Sequence, residues 1–309
     1  MDSFKDKPLV IVAGPTAVGK TASSVRLAEK IGGEIVSADS MQVYRHMDIG
    51  SAKATPEERH GIPHHLLDIL DPWESFSVAR YQKAAFDALR DIYGRGKIPV
   101  LTGGTGFYIQ AVLYDIDFTE EESDPLYRES LYRIAKEEGP EALYRILLET
   151  DPESASSIPK NNVKRVARAL EFHHDTGFRM SEHNARERMK DPPFDYRYFV
   201  LFTGRERLYE RIDARVDEML GKGLLNEVRA LRAQGMTEEM TSMHAIGYRQ
   251  LLWYLDGRAS YEEAVEAIKR ETRRYAKRQL TWFRREQNAR FIDVEKEDLI
   301  DVFETRNFT

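Results

Sequence analysis

The chain of 309 residues contains no cysteine. That excludes disulfides, a thiol nucleophile and any thiolate-ligated zinc site. A long apolar run is missing too: nothing approaches the roughly 20 residues of a membrane-spanning helix. The first residues, Met1-Asp2-Ser3-Phe4-Lys5-Asp6, have neither the basic start nor the apolar stretch of a secretory signal. These absences lead us to expect a cytoplasmic protein that does not use a membrane. Positive charge is not in excess: 46 Lys and Arg stand against 52 Asp and Glu, a formal net charge of −6. A chain that coats nucleic acid through its overall charge is thereby disfavoured. Metal-ligand spacing is thin. His64-His65 has no third ligand near it in sequence, and adjacent side chains point different ways on either helix or strand. There is no internal repeat and no low-complexity tract. What remains is 41% hydrophobic and 32% charged. That is an ordinary globular balance, at a length suited to one large domain or two.

What is present begins near the N-terminus. Gly14-Pro15-Thr16-Ala17-Val18-Gly19-Lys20-Thr21 fits G-x-x-x-x-G-K-[ST], the phosphate-cradling loop. Leu9-Val10-Ile11-Val12-Ala13 before it is the short apolar run of a buried parallel strand. Val25, Leu27, Ala28 and Ile31 after it suit a helix, with Gly32-Gly33 as its stop. Strand, turn and helix in this order aim backbone N–H groups and a helix dipole at an anion. Lys20 adds a mobile cation and the Thr21 hydroxyl a ligand for Mg²⁺. The motif predicts a polyphosphate ligand without saying which one.

Further strands are expected at Glu34–Ala38, Ile98–Thr102, Tyr196–Phe202 and Arg290–Val294, with a helix around Val78–Ile92. Asp39-Ser40 follows the second strand, at the end where open α/β sheets hold ligands. Asp39 suits a general base, a Mg²⁺ partner or a helix N-cap. Gly103-Gly104-Thr105-Gly106 follows the third strand. Glycines there permit close backbone approach to a ligand, and Thr105 offers a hydroxyl. Glu120-Glu121-Glu122-Ser123-Asp124-Pro125 is an acidic, breaker-rich junction. From there to Asp191-Pro192-Pro193 the periodicity is helical. Leu143, Ile146 and Leu147 mark one helix, stopped before Asp151-Pro152, and Val163, Val166, Ala167 and Leu170 mark another. Amphipathic helices follow at Leu208–Leu220, where Arg215 lies, and at Leu224–Leu231. Lys269 to Arg290 carries nine basic residues against two acidic ones. That segment suits phosphate contacts, or equally a solvated helix face. The reading is an α/β protein: a P-loop NTPase-like parallel-sheet core in two parts, 1–117 and 196–309, around a helical insertion at 118–195.

Several joined motifs closely resemble the bacterial tRNA dimethylallyltransferases (tRNA isopentenyltransferases, the IPP transferase family). They are GPTAVGKT (14–21), SADSMQVYRHMDIGSAK (37–53), GIPHHLLDI (61–69), LTGGTGFY (101–108), NNVKRVARALE (161–171), AIGYRQ (245–250) and KRQLTWFRR (277–285). A P-loop alone is widely shared. Asp-Ser-Met-Gln-Val-Tyr together with Gly-Gly-Thr-Gly-Phe-Tyr at this spacing is specific. The resemblance implies transfer of a dimethylallyl group from dimethylallyl diphosphate to N6 of adenine 37, in tRNAs reading codons that begin with U. The products would be the N6-dimethylallyl base and diphosphate. It implies a monomer that uses Mg²⁺ and grips a tRNA anticodon stem-loop with the insertion. It places Thr105 at the reacting end of the diphosphate and Arg215 on the pyrophosphate. Asp39, Ser40, Met41 and Gln42 resemble the stretch that reads the extruded adenine, and Arg128, Lys164, Arg165, Val166, Ala167 and Arg168 match tRNA-facing positions. Arg278, in the basic C-terminal segment, is a further candidate for the tRNA. The zinc finger of some eukaryotic relatives is absent.

The chemistry suits these residues. The adenine amine is a poor nucleophile that must lose a proton, and the diphosphate must leave with growing negative charge. Asp39 could take the first, and the loop amides, Lys20, Mg²⁺ and Arg215 could stabilise the second. A stacked base must be extruded to reach such a pocket. Three rivals share the scaffold: a small-metabolite kinase, a prenyltransferase for free adenine nucleotides and a non-enzymatic RNA-binding switch. The size of the basic helical insertion disfavours the first two. The switch would leave Asp39 and Thr105 without a task.

Overall fold

The computed structural model describes residues 4–118 and 124–305, and the acidic stretch Glu120 to Ser123 lies outside the described residues. The chain forms two compact units, Met1–Leu113 with Pro193–Thr309, and Tyr114–Pro192.

The first unit opens with β1 (Pro8–Ala13), whose last five residues are all buried. The phosphate-loop motif follows, then α1 (Lys20–Ile31), ended by Gly32 in the left-handed region at φ 63°. β2 (Glu34–Ser37) leads into a long loop and the two-residue β3 (His64–His65). α2 (Val78–Gly94), β4 (Pro99–Gly103) and α3 (Gly106–Leu113) complete the first part. The second unit holds helices and no strand among its described residues. It comprises α4 (Pro125–Glu137), α5 (Pro140–Thr150), α6 (Pro152–Ser157), α7 (Val163–Thr176) and α8 (Met180–Arg188). The chain then returns as β5 (Asp195–Phe202), α9 (Arg205–Gly221), α10 (Leu224–Ala233), α11 (Tyr248–Leu255), α12 (Tyr261–Phe283), β6 (Arg290–Asp293) and α13 (Leu299–Glu304).

All six strands pair in parallel, in the order β3-β2-β4-β1-β5-β6. The expected parallel α/β core is therefore present. β1 lies inside the sheet, with Val10 beside Val100 of β4 and Val12 beside Phe199 of β5. A strand covered on both faces is apolar throughout, which is why β1 shows no alternation. Val25, Leu27 and Ala28 of α1 pack with Ile212 of α9 and Ala276 of α12 on this sheet. A second cluster joins Val228, Tyr248, Leu251 and Ile268 to Val43, Tyr44 and Met47 of the loop after β2.

The sequence reading found five of the six strands and missed β3, which is too short to show a period. It also missed α3, α4, α6, α8, α11 and α13. In two places the miss has a common cause. Asp124-Pro125 and Asp151-Pro152 read as breakers, yet each starts a helix. Asp124 accepts the N–H groups of Leu126 and Tyr127, and Asp151 accepts that of Ser154. Proline at the first helical position loses nothing, because that N–H has no partner within the helix.

Candidate active site

A cavity of about 770 Å³ opens in the first unit where β1, β2 and β4 end. Lys20, Thr21, Asp39, Gln42, Arg215 and Gln279 are among the residues lining it. The wall is thus drawn from α1, α9, α12 and the loop after β2. The parallel sheet carries its successive loops to one edge, which brings together residues nearly 260 positions apart.

The phosphate loop holds the backbone geometry its motif demands. Gly14 stands at φ 153°, Ala17 at 64° and Gly19 at 102°. A Cβ on Gly14 would meet the Leu201 carbonyl oxygen at 2.6 Å, so no larger residue fits. Gly14, Pro15 and Val18 are buried and shape the loop, while Thr16, Ala17, Gly19, Lys20 and Thr21 reach the cavity. Lys20 Nζ donates to the Pro15 carbonyl at 2.8 Å. Burial, and then the nearby Arg215 guanidinium, push the Lys20 ammonium down to about 7, with Asp39 pulling the other way. Arg215 approaches from α9, its Nη1 3.4 Å from Thr16 Oγ1. Burial lowers its affinity for a proton, and Asp39 is the first group to oppose this. Two cations and one carboxylate thus share a poorly solvated space, an arrangement that attracts a polyanion.

Asp39 turns the chain as it leaves β2. Its Oδ1 accepts the N–H of Met41 at 2.9 Å and of Gln42 at 3.3 Å. No helix starts at Asp39, so the N-cap expectation gives way to a turn built by this side chain. Ser40, Met41 and Gln42 line the cavity with it. Gln42 Nε2 donates to the carbonyls of Ser51 and Ala52 at 3.2 and 3.3 Å. Glu227 of α10 anchors that segment. Its carboxylate accepts the N–H groups of Asp48, Ile49 and Gly50 and the Tyr248 hydroxyl, at 2.6–3.1 Å.

Thr105 stands behind the wall rather than among its lining residues. Its hydroxyl accepts the N–H of Ser40, which lines the cavity, at 3.2 Å. The glycines around it are required by the packing of the protein itself, and Gly103 also lines the cavity. A Cβ on Gly103 would collide with the Ala38 backbone, one on Gly104 with Gln279, and one on Gly106 with Trp282.

The described residues hold no cluster of three or more His, Asp or Glu side chains able to cage a metal. Thr21 and Asp39 both line the cavity. Such a sparse oxygen set suits Mg²⁺, which keeps waters and shares a ligand's phosphate oxygens. His64 Nδ1 lies 2.8 Å from the Ile62 carbonyl, and His65 Nε2 2.7 Å from Glu34 Oε2.

In the helical unit, Lys164, Arg165 and Arg168 are exposed on α7. Val166 and Ala167 are not: they are buried at 0% and 1% with Leu143, Leu147 and Leu170. On a helix of period 3.6 they share the inward face with Leu170, so their side chains serve the core of this unit. Arg128 is half-exposed but already partnered, its guanidinium gripping buried Glu171 at 2.7 and 3.1 Å. In the C-terminal segment the excess of charge is partly apparent. Lys269 pairs with Asp217, Arg273 with Asp213, Arg274 with Glu271 and Arg290 with Glu297. Arg278 is exposed at the cavity, its guanidinium 5.8 Å from the Tyr275 ring centre, and no ion pair to it is seen among the described residues.

The residues that sequence reasoning passed over are Tyr275, Gln279 and Glu227. Gln279 sits inside the KRQLTWFRR stretch, where the charges drew attention. Its neutral amide has no periodic or compositional signal. Glu227 acts on a loop far away in sequence, so nothing near it points to the role.

The IPP transferase family model matches residues 42–286 and the Isopentenyl transferase model residues 7–69. The chain is 54% identical over 283 residues to a tRNA dimethylallyltransferase of Lachnoclostridium phytofermentans, covering 92% of this chain and 90% of the relative. It is 47% identical to that of Carboxydothermus hydrogenoformans, covering 96% and 95%. Among solved structures, the tRNA isopentenylpyrophosphate transferase of Bacillus halodurans is similar with a TM-score of 0.73 and 43% identity, covering 97% of this chain and 94% of that one. A eukaryotic dimethylallyltransferase acting on tRNA is similar with a TM-score of 0.84 and 30% identity, covering 98% and 81%.

Proposed function

The chain belongs to the IPP transferase family, and we propose that it moves a dimethylallyl group from dimethylallyl diphosphate to N6 of adenine 37 in tRNAs reading codons that begin with U. Its relatives are named for dimethylallyl transfer to tRNA, and that part of the reading follows from the family. The observation that supports the chemistry of transfer is the shared cavity. It sets Lys20 and Arg215, cations for a departing diphosphate, beside Asp39, a carboxylate able to take a proton.

In this reaction the lone pair of the adenine amine forms a bond to C1 of the allyl group as the C1–O bond breaks. The bonding electrons leave with the diphosphate, and the amine's surplus proton passes to Asp39. The phosphate-loop amides, Lys20 and Arg215 meet the charge that develops on the leaving oxygens. Thr21, with diphosphate oxygens, would hold Mg²⁺, which supplies further charge neutralisation when bound. Asp39 keeps its turn through Oδ1 and lines the cavity. Exposed Lys164, Arg165 and Arg168 on the helical unit, and Arg278 on α12, supply phosphate contacts for a tRNA anticodon stem-loop. Among the described residues no helix is long and apolar enough to cross a membrane. We assign the enzyme to the cytoplasm as a monomer.

Mass spectrometry of nucleosides from tRNA incubated with protein, Mg²⁺ and dimethylallyl diphosphate tests the reading. A mass gain at adenine 37 is expected. Phosphate transfer from γ-labelled ATP to a small molecule would instead establish a kinase, and prenylation of free AMP with tRNA untouched would establish a nucleotide prenyltransferase.

A further inference from the structure

The last register pair between β1 and β4 is Ala13 beside Gly103. Beyond it the two strands become loops, the phosphate loop on one side and the Gly-Gly-Thr-Gly turn on the other. No ladder hydrogen bond fixes the distance between them. One side chain does. Gln279 Oε1 accepts the Thr16 N–H at 2.9 Å, and its Nε2 donates to the Gly104 carbonyl at 2.9 Å. The amide orientation follows from the partners, since only a carbonyl oxygen can accept from Thr16 and only the NH₂ can donate to Gly104. Gln279 is 6% exposed, so these bonds are shielded from water, and it lines the cavity. The Gly104 position leaves no room for a Cβ because the Gln279 amide occupies it. Tyr275, one turn earlier on α12, lines the same cavity. The Thr105 hydroxyl receives the Ser40 N–H, beside Asp39.

Gln279 of α12 thus ties together the loops that end β1 and β4, and the Thr105 hydroxyl ties the second of these to the loop that ends β2. Those loops carry the anion site and the carboxylate. Transfer requires the amine, C1 and the leaving oxygen in line, and a misplacement of about 1 Å can cost on the order of 100-fold in rate. We propose that Gln279 is a positioning residue for the transfer step, its amide holding the phosphate loop at Thr16 and the turn at Gly104 at the separation that aligns the diphosphate with the proton acceptor. This rests on the transfer reading given above.

The experiment is single-turnover transfer to an anticodon stem-loop at saturating dimethylallyl diphosphate, with Gln279→Met and Gln279→Glu. Methionine keeps the volume and loses both bonds. The Gln279→Met rate should fall about 10- to 100-fold, with dissociation constants for diphosphate and stem-loop within about threefold of wild type. The carboxyl group of Gln279→Glu reproduces both bonds only when protonated, accepting through one oxygen and donating through the other. Ionised, it opposes the Gly104 carbonyl. The ratio of its rate to the wild-type rate should therefore rise as pH is lowered from about 8 to about 5.5. Lys20, Asp39, Arg215 and Tyr275, the titratable and charged groups around it, are common to both proteins and are removed by the ratio. A wild-type rate in Gln279→Met overturns the proposal, and so does a loss in Gln279→Glu that is the same at every pH. If Gln279→Met fails to fold, the pH ratio alone decides. A wild-type protein that transfers nothing would instead refute the function assigned above.

Discussion

Asp39 accepts the backbone N–H of Met41 at 2.9 Å, so the residue we propose as the proton acceptor also builds the turn that carries it. Asparagine can make the same turn bond but cannot act as a base. Asp39→Asn should fold and bind tRNA normally, with single-turnover transfer slowed about 10²- to 10⁴-fold. Asp39→Ala should show the same chemical loss and, in addition, a stability loss of about 1 kcal/mol from the two orphaned N–H groups. Comparing transfer rates with thermal unfolding for the pair separates the roles. An unchanged rate in Asp39→Asn leaves the residue as a turn former only.

Lys20, held down to about 7 by burial and Arg215, gives diphosphate binding a pH dependence. A bound polyanion favours the ammonium, so binding takes up a proton wherever the ligand-free amine is neutral. Affinity should weaken as pH rises above about 7, by up to about tenfold per unit. Calorimetry in buffers of different ionisation enthalpy should find uptake growing from pH 6 to pH 8, and Lys20→Arg should abolish it. The linked effect on the ligand-free fold has the opposite direction. The unfolded chain keeps this lysine protonated up to its ordinary value near 10.5, so stability from this group increases as pH rises from about 7.

The two kinds of arginine on the basic segments should behave differently. Arg165 and Arg278 are exposed, and Arg168 lies 3.8 Å from Glu171. Replacing each by alanine should lower the slope of log affinity for tRNA against log salt by about 0.7–0.9. The transfer rate with tRNA bound should hardly change. Arg273 is tied to Asp213 at 2.7 and 2.8 Å. Arg273→Ala should leave the slope alone and loosen α12 from α9, seen as faster hydrogen exchange there. Unchanged slopes in all three exposed variants would remove these surfaces from the tRNA interface.

Arg128 should act on stability before it acts on tRNA. Glu171 is only 4% exposed, and its close cation is Arg128. Arg128→Ala leaves that carboxylate with Arg168 at 3.8 Å and should destabilise the helical unit by about 1–3 kcal/mol. Hydrogen exchange over residues 124–190 reads this directly. Full protection in the variant would show that the pair contributes nothing to folding.

How far the site could be read in advance differs from residue to residue. The phosphate loop was legible because its function is local. Eight consecutive residues contain the glycine that must approach Leu201, the left-handed Gly19 and the cation, and the strand and helix that orient them lie on either side. Asp39 was legible for a similar reason, as a carboxylate at the end of a strand in an open parallel sheet. Arg165 and Val166 show the limit. Both lie in one basic motif, and only the inward rotation of α7 separates the exposed cation from the buried hydrophobe.

By itself the sequence determined the class of fold, the anion loop and the family, because apolar periodicity, glycine spacing and joined motifs are written in short stretches of chain. The tertiary structure decided which cations are spent on neighbouring carboxylates, as Arg273 is on Asp213, and which have no ion pair among the described residues, as with Arg278. It decided that Gly103, Gly104 and Gly106 make room for Ala38, Gln279 and Trp282. It also decided that a neutral glutamine 263 positions away would close the phosphate loop against the neighbouring turn. Hydrogen bonds between distant loops depend on where the sheet and α12 carry them in space, and no local pattern of residue types records that distance.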